Sequence, residues 1–515
     1  MSNRHHDRPG AGAPGASGGD RQDAGHEVGP AGTTTRRRVL KGATAMAGAA
    51  TLSNFPLARA VFSQEDHPLS GQSIDMSILG IAGWVPSSLG VEMSPMFAEY
   101  AKKRFGYDVS FSFADAPFSG LFQKAATSLA TRSQEYNIII SDSQWLGAFA
   151  SPGWIVRVDD LIEKYPDLDV AWYSDMVRTT YQVYPDGTNK RWGFPQEGDT
   201  IALFVRKDML EDESERQAFQ QKHGRQLPRT YADFENLTMD DFRDIAEFFN
   251  RPDEGMYGTA MQYSREYDFI SCYLYPFFWS RGGDIWNPET GQVEGILNSD
   301  VNAQGMEMMK SWLDVMPPGA INYGIAGEID AFSQGKLFSC FQWAAVGPAM
   351  ITDDLKDKVM VVPPPAHEGP EGKKRLYTVG GQPWVINKYN SDAQMRVAID
   401  FMRWWYQPDV QLEFARRGGN PCDKATLERS DFDQIQPWFK AYKFMLDGRS
   451  KDFWHHPNYS RMLSVQQEAF TSYMTGQTDD PMAALTHAAC QQQQILHDAG
   501  TAAKGPSDAC SGANL

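Results

Sequence analysis

The order of hydrophobic and polar positions predicts alternating strands and helices in the first half of the chain. Residues 74–81 form an apolar run of strand length, and residues 96–105 place apolar side chains at helical spacing. Residues 107–113 alternate apolar and polar positions, residues 121–129 predict a second amphipathic helix, and residues 136–140 predict a buried strand. This order is typical of a mainly parallel sheet covered by helices, so an α/β fold is expected.

The stretch 328–347 predicts a helix, a Gly-Lys turn and a short strand that ends at Gln342 and Trp343. Ligands of α/β proteins bind at the carboxyl ends of strands. A Trp beside an amide at that position would offer a stacking face next to a hydrogen-bonding group. An ordinary core position accounts for Trp343 equally well, and both interpretations stay open.

A second strand of interest spans residues 378–386 and contains two adjacent glycines. Glycines inside a strand indicate a bend or a ligand that approaches the backbone. Here they stand beside Gln382 and Trp384, again an amide and an aromatic ring. Similarly, residues 258–263 predict a short strand that ends on polar groups. Helices are predicted over 458–474 and 481–497, followed by a flexible tail at 499–515.

The first 60 residues have a different pattern. Residues 1–35 contain almost no bulky apolar side chains and are predicted to be disordered. The following segment, with Arg36 and Arg37, resembles a twin-arginine export motif, and an apolar stretch over 42–57 leads to a cleavage site near Ala60. A chance basic patch before a short helix is the alternative, but the order of the elements favours export. The apolar stretch is too short to serve as a permanent anchor, so a soluble mature protein is expected.

The composition and net charge of the chain indicate which kinds of partner are unfavourable. The chain has 515 residues, enough for more than one folding unit, with 42% hydrophobic residues. Its formal net charge is −17, and removal of residues 1–60 would leave it more acidic still. This charge argues against nucleic acid and anionic membrane surfaces as partners.

The cysteines leave two interpretations open. The five are Cys272, Cys340, Cys422, Cys490 and Cys510. An oxidising compartment permits disulfides, but an odd number leaves at least one thiol free or paired between chains. Proteins exported by the twin-arginine route fold beforehand, so buried and reduced thiols are equally compatible. No Cys or His spacing in the sequence is typical of a metal site, and no cofactor is expected.

Four stretches taken together resemble the extracellular solute-binding proteins of ABC importers, in the class that binds sugars, oligosaccharides and polyols. They are residues 138–160, 193–208, 331–343 and 378–420, and the helices within 457–496 resemble the carboxyl end of that family. The resemblance covers nearly all of the predicted mature chain. It implies a periplasmic, monomeric protein that hands a carbohydrate to ABC permease subunits in the inner membrane. The mature chain is long for this family, and the strongly charged residues 211–241 are the predicted insertion.

The resemblance also implies two α/β lobes, joined by crossing strands, that close around the ligand by a hinge motion. The first lobe would take residues 61–193 and 382–450. The second would take residues 194–381 and 451–498. Each lobe would contain a mainly parallel sheet flanked by helices, so both are discontinuous in sequence.

A sugar ring has apolar C–H faces and polar hydroxyl edges, so its site needs aromatic rings beside carboxylates or amides. Such pairs adjoin at the ends of the predicted strands. The candidates are Trp84, Ser141, Asp142, Gln144, Trp145, Gln196, Asp199, Gln262, Tyr263, Gln342, Trp343, Gly381, Gln382 and Trp384. The resemblance adds Tyr459, near the start of the late helix.

A secreted carbohydrate-active hydrolase is the competing interpretation. Glu197 with Asp199, or Asp159 with Asp160, could supply the paired acids of glycoside hydrolysis. The second pair follows a strand and opens a helix, where N-capping is the simpler account. After residue 60 the sequence contains no G-x-S-x-G, H-E-x-x-H or P-loop motif. His455 and His456 form an exposed-looking pair without a third ligand at metal spacing. The identity of the ligand stays open, including a phosphorylated polyol.

Overall fold

A computed structural model describes residues 67–512 of the chain. The predicted disordered segment, the twin-arginine motif and the cleavage site lie outside the described residues, as do residues 61–66 and 513–515.

One mixed sheet contains most of the strands, and the strand order places β9 and β4 at its centre. The strands are β1 (Ser73–Ile81), β2 (Asp108–Ala116), β3 (Ile138–Ile140), β4 (Phe194–Arg206), β5 (Ser339–Trp343), β6 (Val359–Val362), β7 (His367–Gly369), β8 (Gly372–Lys374), β9 (Tyr377–Ile386) and β10 (Ser450–Lys451). The main path runs β2-β1-β3-β9-β4-β5, with β6 also paired to β4 and β10 to β9. Strands β7 and β8 form a separate hairpin.

Helices surround this sheet. They are α1 (Val85–Glu92), α2 (Ser94–Phe105), α3 (Phe118–Ala130), α4 (Leu146–Ala150), α5 (Val158–Ile162), α6 (Asp175–Gln182), α7 (Lys207–Glu211), α8 (Glu213–His223), α9 (Tyr231–Glu235), α10 (Met239–Phe249), α11 (Phe269–Trp279), α12 (Asp300–Ser311), α13 (Ile325–Ser333), α14 (Gly347–Met350), α15 (Asp392–Trp405), α16 (Pro408–Arg416), α17 (Lys424–Leu427), α18 (Phe432–Ile435), α19 (Phe439–Leu446), α20 (Tyr459–Met474) and α21 (Pro481–Asp498). The α/β class predicted from the pattern is confirmed.

The first half of the sheet has the predicted parallel pairing. Strand β1 is parallel to β2 on one side and to β3 on the other. Strand β3 is buried over its whole length, as expected for an apolar run inside an α/β sheet. Since parallel strands end at one edge, Trp84 after β1 and the polar residues after β3 lie at the same edge of the sheet.

The second half differs from the predicted mainly parallel sheet, because β4 pairs antiparallel with each of its neighbours. Its first residues pair with β9, from Phe194 opposite Trp384 to Thr200 opposite Val379. Its later residues lie between β5 and β6. Strand β4 carries the chain away from the first half and β9 brings it back, so the two run in opposite directions. Strand β5 pairs with the later residues of β4, from Ser339 opposite Val205 to Trp343 opposite Ile201. Trp343 therefore lies next to the part of β4 that pairs with β9.

Two local predictions are also corrected. Residues 258–263, predicted as a strand, are extended but irregular beside β5, where the Phe341 N–H donates to the Ala260 carbonyl at 3.1 Å. Residues 196–200, predicted only as a polar segment before a strand, lie inside β4 and are buried. Backbone pairing with β9 satisfies the amides there, which lets polar side chains occupy the interior.

The carboxyl-terminal segment is packed, although the sequence predicted a flexible tail. A disulfide joins Cys490 on α21 to Cys510. The Thr501 hydroxyl lies 2.8 Å from the His456 ring, and the Lys504 carbonyl accepts from Gln493. Covalent and polar contacts therefore hold residues that are too polar to predict an ordered segment.

The other three cysteines, Cys272, Cys340 and Cys422, are buried free thiols. Both interpretations of the cysteines therefore apply, each to a different subset. Among residues 67–512, no helix is long and apolar enough to cross a membrane.

Candidate functional site

A cavity lies beside the crossing of β4 and β9. Its free space for the centre of a water-sized molecule is about 30 Å³. Its lining residues are Trp84, Phe118, Asp142, Gln144, Asp199, Tyr267, Asp268, Phe269, Cys272, Ile325, Trp343, Val379, Gly380, Gly381 and Gln382. The wall combines aromatic rings, carboxylates and amides, which are the groups that a polyhydroxylated ligand requires.

Seven of the fifteen predicted site residues line this cavity. They are Trp84, Asp142, Gln144, Asp199, Trp343, Gly381 and Gln382. Each follows a strand or lies where two strands cross, because the carboxyl ends of β1, β3 and β5 meet the middle of β4 and β9. The structure thus brings together side chains that are up to 298 positions apart in the sequence.

Aromatic rings form the apolar part of the wall. The Trp84 and Phe118 rings meet edge to face at 5.7 Å, and Phe118 stacks on Tyr267 at 5.4 Å. Across the cavity, the Trp343 ring lies against the backbone of Gly380, where an added Cβ would come within 2.8 Å of the ring. The next residue, Gly381, has a φ of 90°, which side-chain-bearing residues rarely adopt. Both glycines of the predicted motif are therefore required by the local geometry.

Asp142 and Asp268 form the acidic part of the wall. The Tyr267 hydroxyl donates to Asp142 at 2.7 Å, and the Gln144 amide donates to Asp268 at 2.8 Å. Burial and then the nearby charge of Asp268 raise the pKa of Asp142 to about 7. Burial raises the pKa of Asp268 to about 6, against hydrogen bonds that lower it. Because each carboxylate is costly to ionise here, a ligand that donates hydrogen bonds or positive charge would stabilise both.

Asp199 enters the wall from β4. One of its oxygens accepts from the backbone N–H groups of Thr200 at 2.8 Å and Ala345 at 3.0 Å. The second oxygen, Oδ2, has no hydrogen-bond partner among the described residues. Burial raises the pKa of Asp199 well above its usual value. The unused oxygen of this fully buried carboxyl is a ready acceptor for a ligand.

Glu197, two positions earlier on β4, is also buried, and its carboxylate accepts from the Trp84 indole N–H. Burial, followed by the charge of Asp199, raises the pKa of Glu197 well above its usual value. This carboxylate holds the Trp84 ring in place and does not line the cavity. The pair of Glu197 and Asp199 therefore does not present two carboxylates to one bound molecule.

The remaining predicted residues lie behind the wall. They are Ser141, Trp145, Gln196, Gln262, Tyr263, Gln342, Trp384 and Tyr459, all of them buried. The Trp145 indole N–H donates to the Tyr459 hydroxyl at 2.6 Å, and Trp384 packs in the core against Phe401 and Trp405. Gln342 and Gln262 both donate to Glu328, at 2.7 and 2.9 Å. Ligand contact by this group stays a prediction.

Several lining residues were not singled out in the sequence. Phe118 opens α3, while Tyr267, Asp268, Phe269 and Cys272 lie at or just before the start of α11. The aromatic sequence of α11 predicted a helix, but its amino-terminal end carries no motif for ligand binding. The available signal was Asp268, an acid directly before an aromatic helix. An acid at that position is also typical of an ordinary helix start, so it does not by itself indicate a binding site.

His455 and His456 are buried, which corrects the exposed position expected from the sequence. His455 lies between Asp186 and Asp452, at 2.8 and 3.0 Å. These carboxylates overcome the effect of burial and raise the pKa of His455 to about 10. Within the described range, no three His, Cys, Asp or Glu side chains are grouped as a metal site.

Comparisons with known proteins agree with this architecture. A profile of the bacterial extracellular solute-binding protein family matches residues 87–412. The chain is similar in structure to maltose-bound MalE3 of T. maritima, with 21% identity, a TM-score of 0.66, and coverage of 82% of this chain and 100% of that one. An ABC transporter solute-binding protein of Agrobacterium radiobacter K84 in complex with ribitol matches with 20% identity, a TM-score of 0.64, and coverage of 83% and 100%.

A third similar structure, an ABC transporter solute-binding protein of Agrobacterium vitis S4 with bound D-mannitol, has 17% identity and a TM-score of 0.64. It covers 83% of this chain and 99% of its own. At these identities the likeness shows the fold, and these neighbours are two-lobed. The predicted two-lobed fold is confirmed.

Proposed function

This chain belongs to the family of bacterial extracellular solute-binding proteins, and we propose that it captures a carbohydrate for an ABC importer. The ligand would be a sugar, an oligosaccharide or a polyol held in the cavity beside β4 and β9. The observation that carries this proposal is the wall itself, in which the Trp84 and Trp343 rings stand beside Asp142, Asp199 and Gln382. Rings cover the C–H faces of such a ligand and the polar groups bind its hydroxyls.

The cavity wall also fits a hinged mechanism. Trp84, Asp142 and Gln144 belong to the first predicted lobe, whereas Asp268 and Trp343 belong to the second. A ligand that contacts both sides binds the closed form better, and this difference in affinity drives closure. The closed surface would then be presented to permease subunits, and the protein would act as a monomer.

Binding without catalysis is part of the proposal. Asp199 accepts backbone N–H bonds with one oxygen, and Glu197 accepts from the Trp84 indole. We therefore do not expect this acid pair of the competing hydrolase to cleave a glycoside. Asp159, of the other pair, is bonded to Arg191 at 2.8 Å and does not line the cavity.

The decisive experiment is a thermal-shift screen of the mature chain over mono-, di- and trisaccharides, polyols and glycerol phosphates, followed by calorimetric titration of each hit. We expect the melting temperature to rise with one compound, which chromatography recovers unchanged. Product formation would instead support the hydrolase. Failure of every carbohydrate and polyol to bind would contradict the proposed function.

Export by the twin-arginine route, with cleavage near Ala60 and a periplasmic destination, is proposed from the sequence. The transport machinery reads paired guanidinium groups, so Arg36→Lys with Arg37→Lys should leave the precursor in the cytoplasm. Cell fractionation measures this result, and a variant with Arg4 and Arg8 changed to Lys serves as the matched control. Efficient export of the Arg36/Arg37 variant would contradict the route.

A further inference from the structure

The cavity wall is acidic. Three of its residues, Asp142, Asp199 and Asp268, are carboxylates, and in the described part of the chain no Lys, Arg or His lines the cavity. The buried cation His455 does not line the cavity and is bonded to Asp186 and Asp452. Burial disfavours the ionised form of these carboxyl groups, whereas a bound cation would stabilise that form.

A second observation comes from buried acceptors that the protein leaves unused. Asp199 Oδ2, Gln144 Oε1 and Gln382 Oε1 have no partner within residues 67–512, and their side chains lie on residues that are 0%, 4% and 3% exposed. The orientation of the Gln144 amide follows from its neighbour, because the nitrogen donates to Asp268 and the oxygen must point elsewhere. The two amide oxygens accept hydrogen bonds, and Asp199 Oδ2 accepts them when the carboxyl is ionised, so a molecule that donates hydrogen bonds fits these atoms.

We propose that the ligand of this cavity carries a positive charge, as an amine-bearing sugar or polyol whose ammonium group binds between Asp142 and Asp268. The inference rests on the proposed function and specifies its ligand class. An ammonium group offers three donors and no acceptor, which suits the two carboxylates and the free Gln144 Oε1, whose amide nitrogen bonds to Asp268. A hydroxyl satisfies acceptors too, but it does not relieve the repulsion between the two carboxylates.

The aromatic part of the wall favours the same ligand. The face of an aromatic ring attracts a cation, and the effect is larger in a site that excludes water. Trp84, Phe118, Tyr267 and Trp343 all line the cavity together with the carboxylates. The aromatic rings and the carboxylates of the cavity therefore both favour a positively charged ligand.

The test compares matched ligand pairs by calorimetric titration at about pH 6.5, below the pKa of about 7.7–8.0 of an amine with electron-withdrawing neighbours, so that the amines are mostly charged. The pairs are D-glucosamine against D-glucose, and 1-amino-1-deoxysorbitol against sorbitol. We expect the amine of at least one pair to bind roughly ten-fold tighter or more, with a preference that narrows as salt is added. A neutral member that binds as tightly as its amine overturns this inference and leaves the proposed function intact. Absence of binding by both amines also overturns it, whatever neutral sugars bind.

Variants localise the effect. Asp142→Asn and Asp268→Asn should each lower the ratio of amine affinity to neutral-ligand affinity, because each variant removes one carboxylate from the wall. Asp431→Asn, which removes an exposed ion pair with Arg429, is the matched control and should change neither affinity. Melting of each unliganded variant verifies folding. If one Asn variant does not fold, the amine preference of the other variant and the salt dependence of amine binding by the unmodified protein still test the proposal. An amine preference that survives in a folded Asp142→Asn/Asp268→Asn double variant would overturn the assignment.

Discussion

Trp343 shows how one side chain can serve both interpretations that the sequence left open. It is 7% exposed, meets Tyr273 edge to face at 6.3 Å, and still lines the cavity. Its position at the carboxyl end of β5 was predicted from the strand pattern. The glycine backbone that its ring rests on is distant in sequence, and only the pairing of β4 with β5 and β9 brings the two together.

We expect Trp343→Ala to weaken binding of the screened ligand by about 1–3 kcal/mol, roughly a ten- to hundred-fold rise in Kd. The loss of a rigid stacking face is the physical reason. Calorimetric titration and a thermal melt on one sample measure affinity and stability separately. Trp312→Ala is the matched control, because Trp312 is a buried ring outside the cavity and its loss should lower stability alone. Unchanged affinity in a destabilised Trp343→Ala protein would assign this ring to the core.

His455 gives a prediction about pH. Its pKa is about 10 in the folded protein, raised by Asp186 and Asp452, against about 6.5 for an unfolded histidine. Between these values the folded state binds more protons, so stability falls as pH rises, and the contribution is fully present only below about pH 6.5. We expect the free energy of unfolding to decrease between about pH 6.5 and 9, and His455→Gln to flatten this slope.

The neighbouring histidine supplies the control for this experiment. Burial lowers the pKa of His456, so its contribution is lost as pH falls instead. Denaturant titrations of His455→Gln and His456→Gln across the pH range separate the two contributions. A His455→Gln protein with the slope of the unmodified chain would show that the ion pairs do not determine this dependence.

At the scale of elements, β4 and β9 explain why the site lies where it does. Their antiparallel pairing from Phe194 to Thr200 brings the ends of β1, β3 and β5 to one place, and Asp199 enters the wall from the middle of β4. The sequence predicted the later part of β4 as a strand but not its polar beginning. Buried Glu197 and Asp199 break the apolar pattern that sequence reasoning depends on.

The disulfide between α21 and the carboxyl-terminal segment provides a test at this scale. A covalent link that closes a loop between Cys490 and Cys510 is expected to stabilise the fold by about 2–4 kcal/mol. The double variant Cys490→Ser/Cys510→Ser should therefore melt at a lower temperature, and reductant should lower the melting temperature of the unmodified protein only. Insensitivity of the unmodified protein to reductant, with equal stability of the variant, would contradict a stabilising role for the link.

At the scale of the whole molecule, the cavity wall is built from both predicted lobes, and several contacts already connect the two sides. Tyr267 donates to Asp142, Gln144 donates to Asp268, and Phe118 stacks on Tyr267. Each contact joins a residue of the first predicted lobe to one of the second. A ligand between them would add contacts that exist only when the lobes are close together.

We expect small-angle scattering to show a smaller radius of gyration when the screened ligand is added, because binding shifts the population toward the closed form. A sugar from the same screen that does not raise the melting temperature is the control and should leave the scattering curve unchanged. Tight binding with an unaltered curve would contradict closure by a hinge.

The sequence by itself determined the α/β class, most strands and helices, and a set of aromatic and polar residues at strand ends. Periodicity and strand length follow from local chain geometry, so they can be inferred without knowing which strands pair. Resemblance in the order of four stretches added the two-lobed fold. Trp84, Asp142 and Trp343 were predicted from their positions at strand ends, because ligands of α/β folds bind there.

The tertiary structure decided which candidates face the cavity and which are buried behind it. Trp145 and Trp384 have the same sequence signal as Trp84 and Trp343, yet Trp145 bonds to Tyr459 and Trp384 packs against Trp405. The direction of a side chain depends on strand pairing and on neighbours far along the chain. For the same reason, Asp268 became part of the wall only through its proximity to Asp142 and Gln144, and no local pattern encodes that contact.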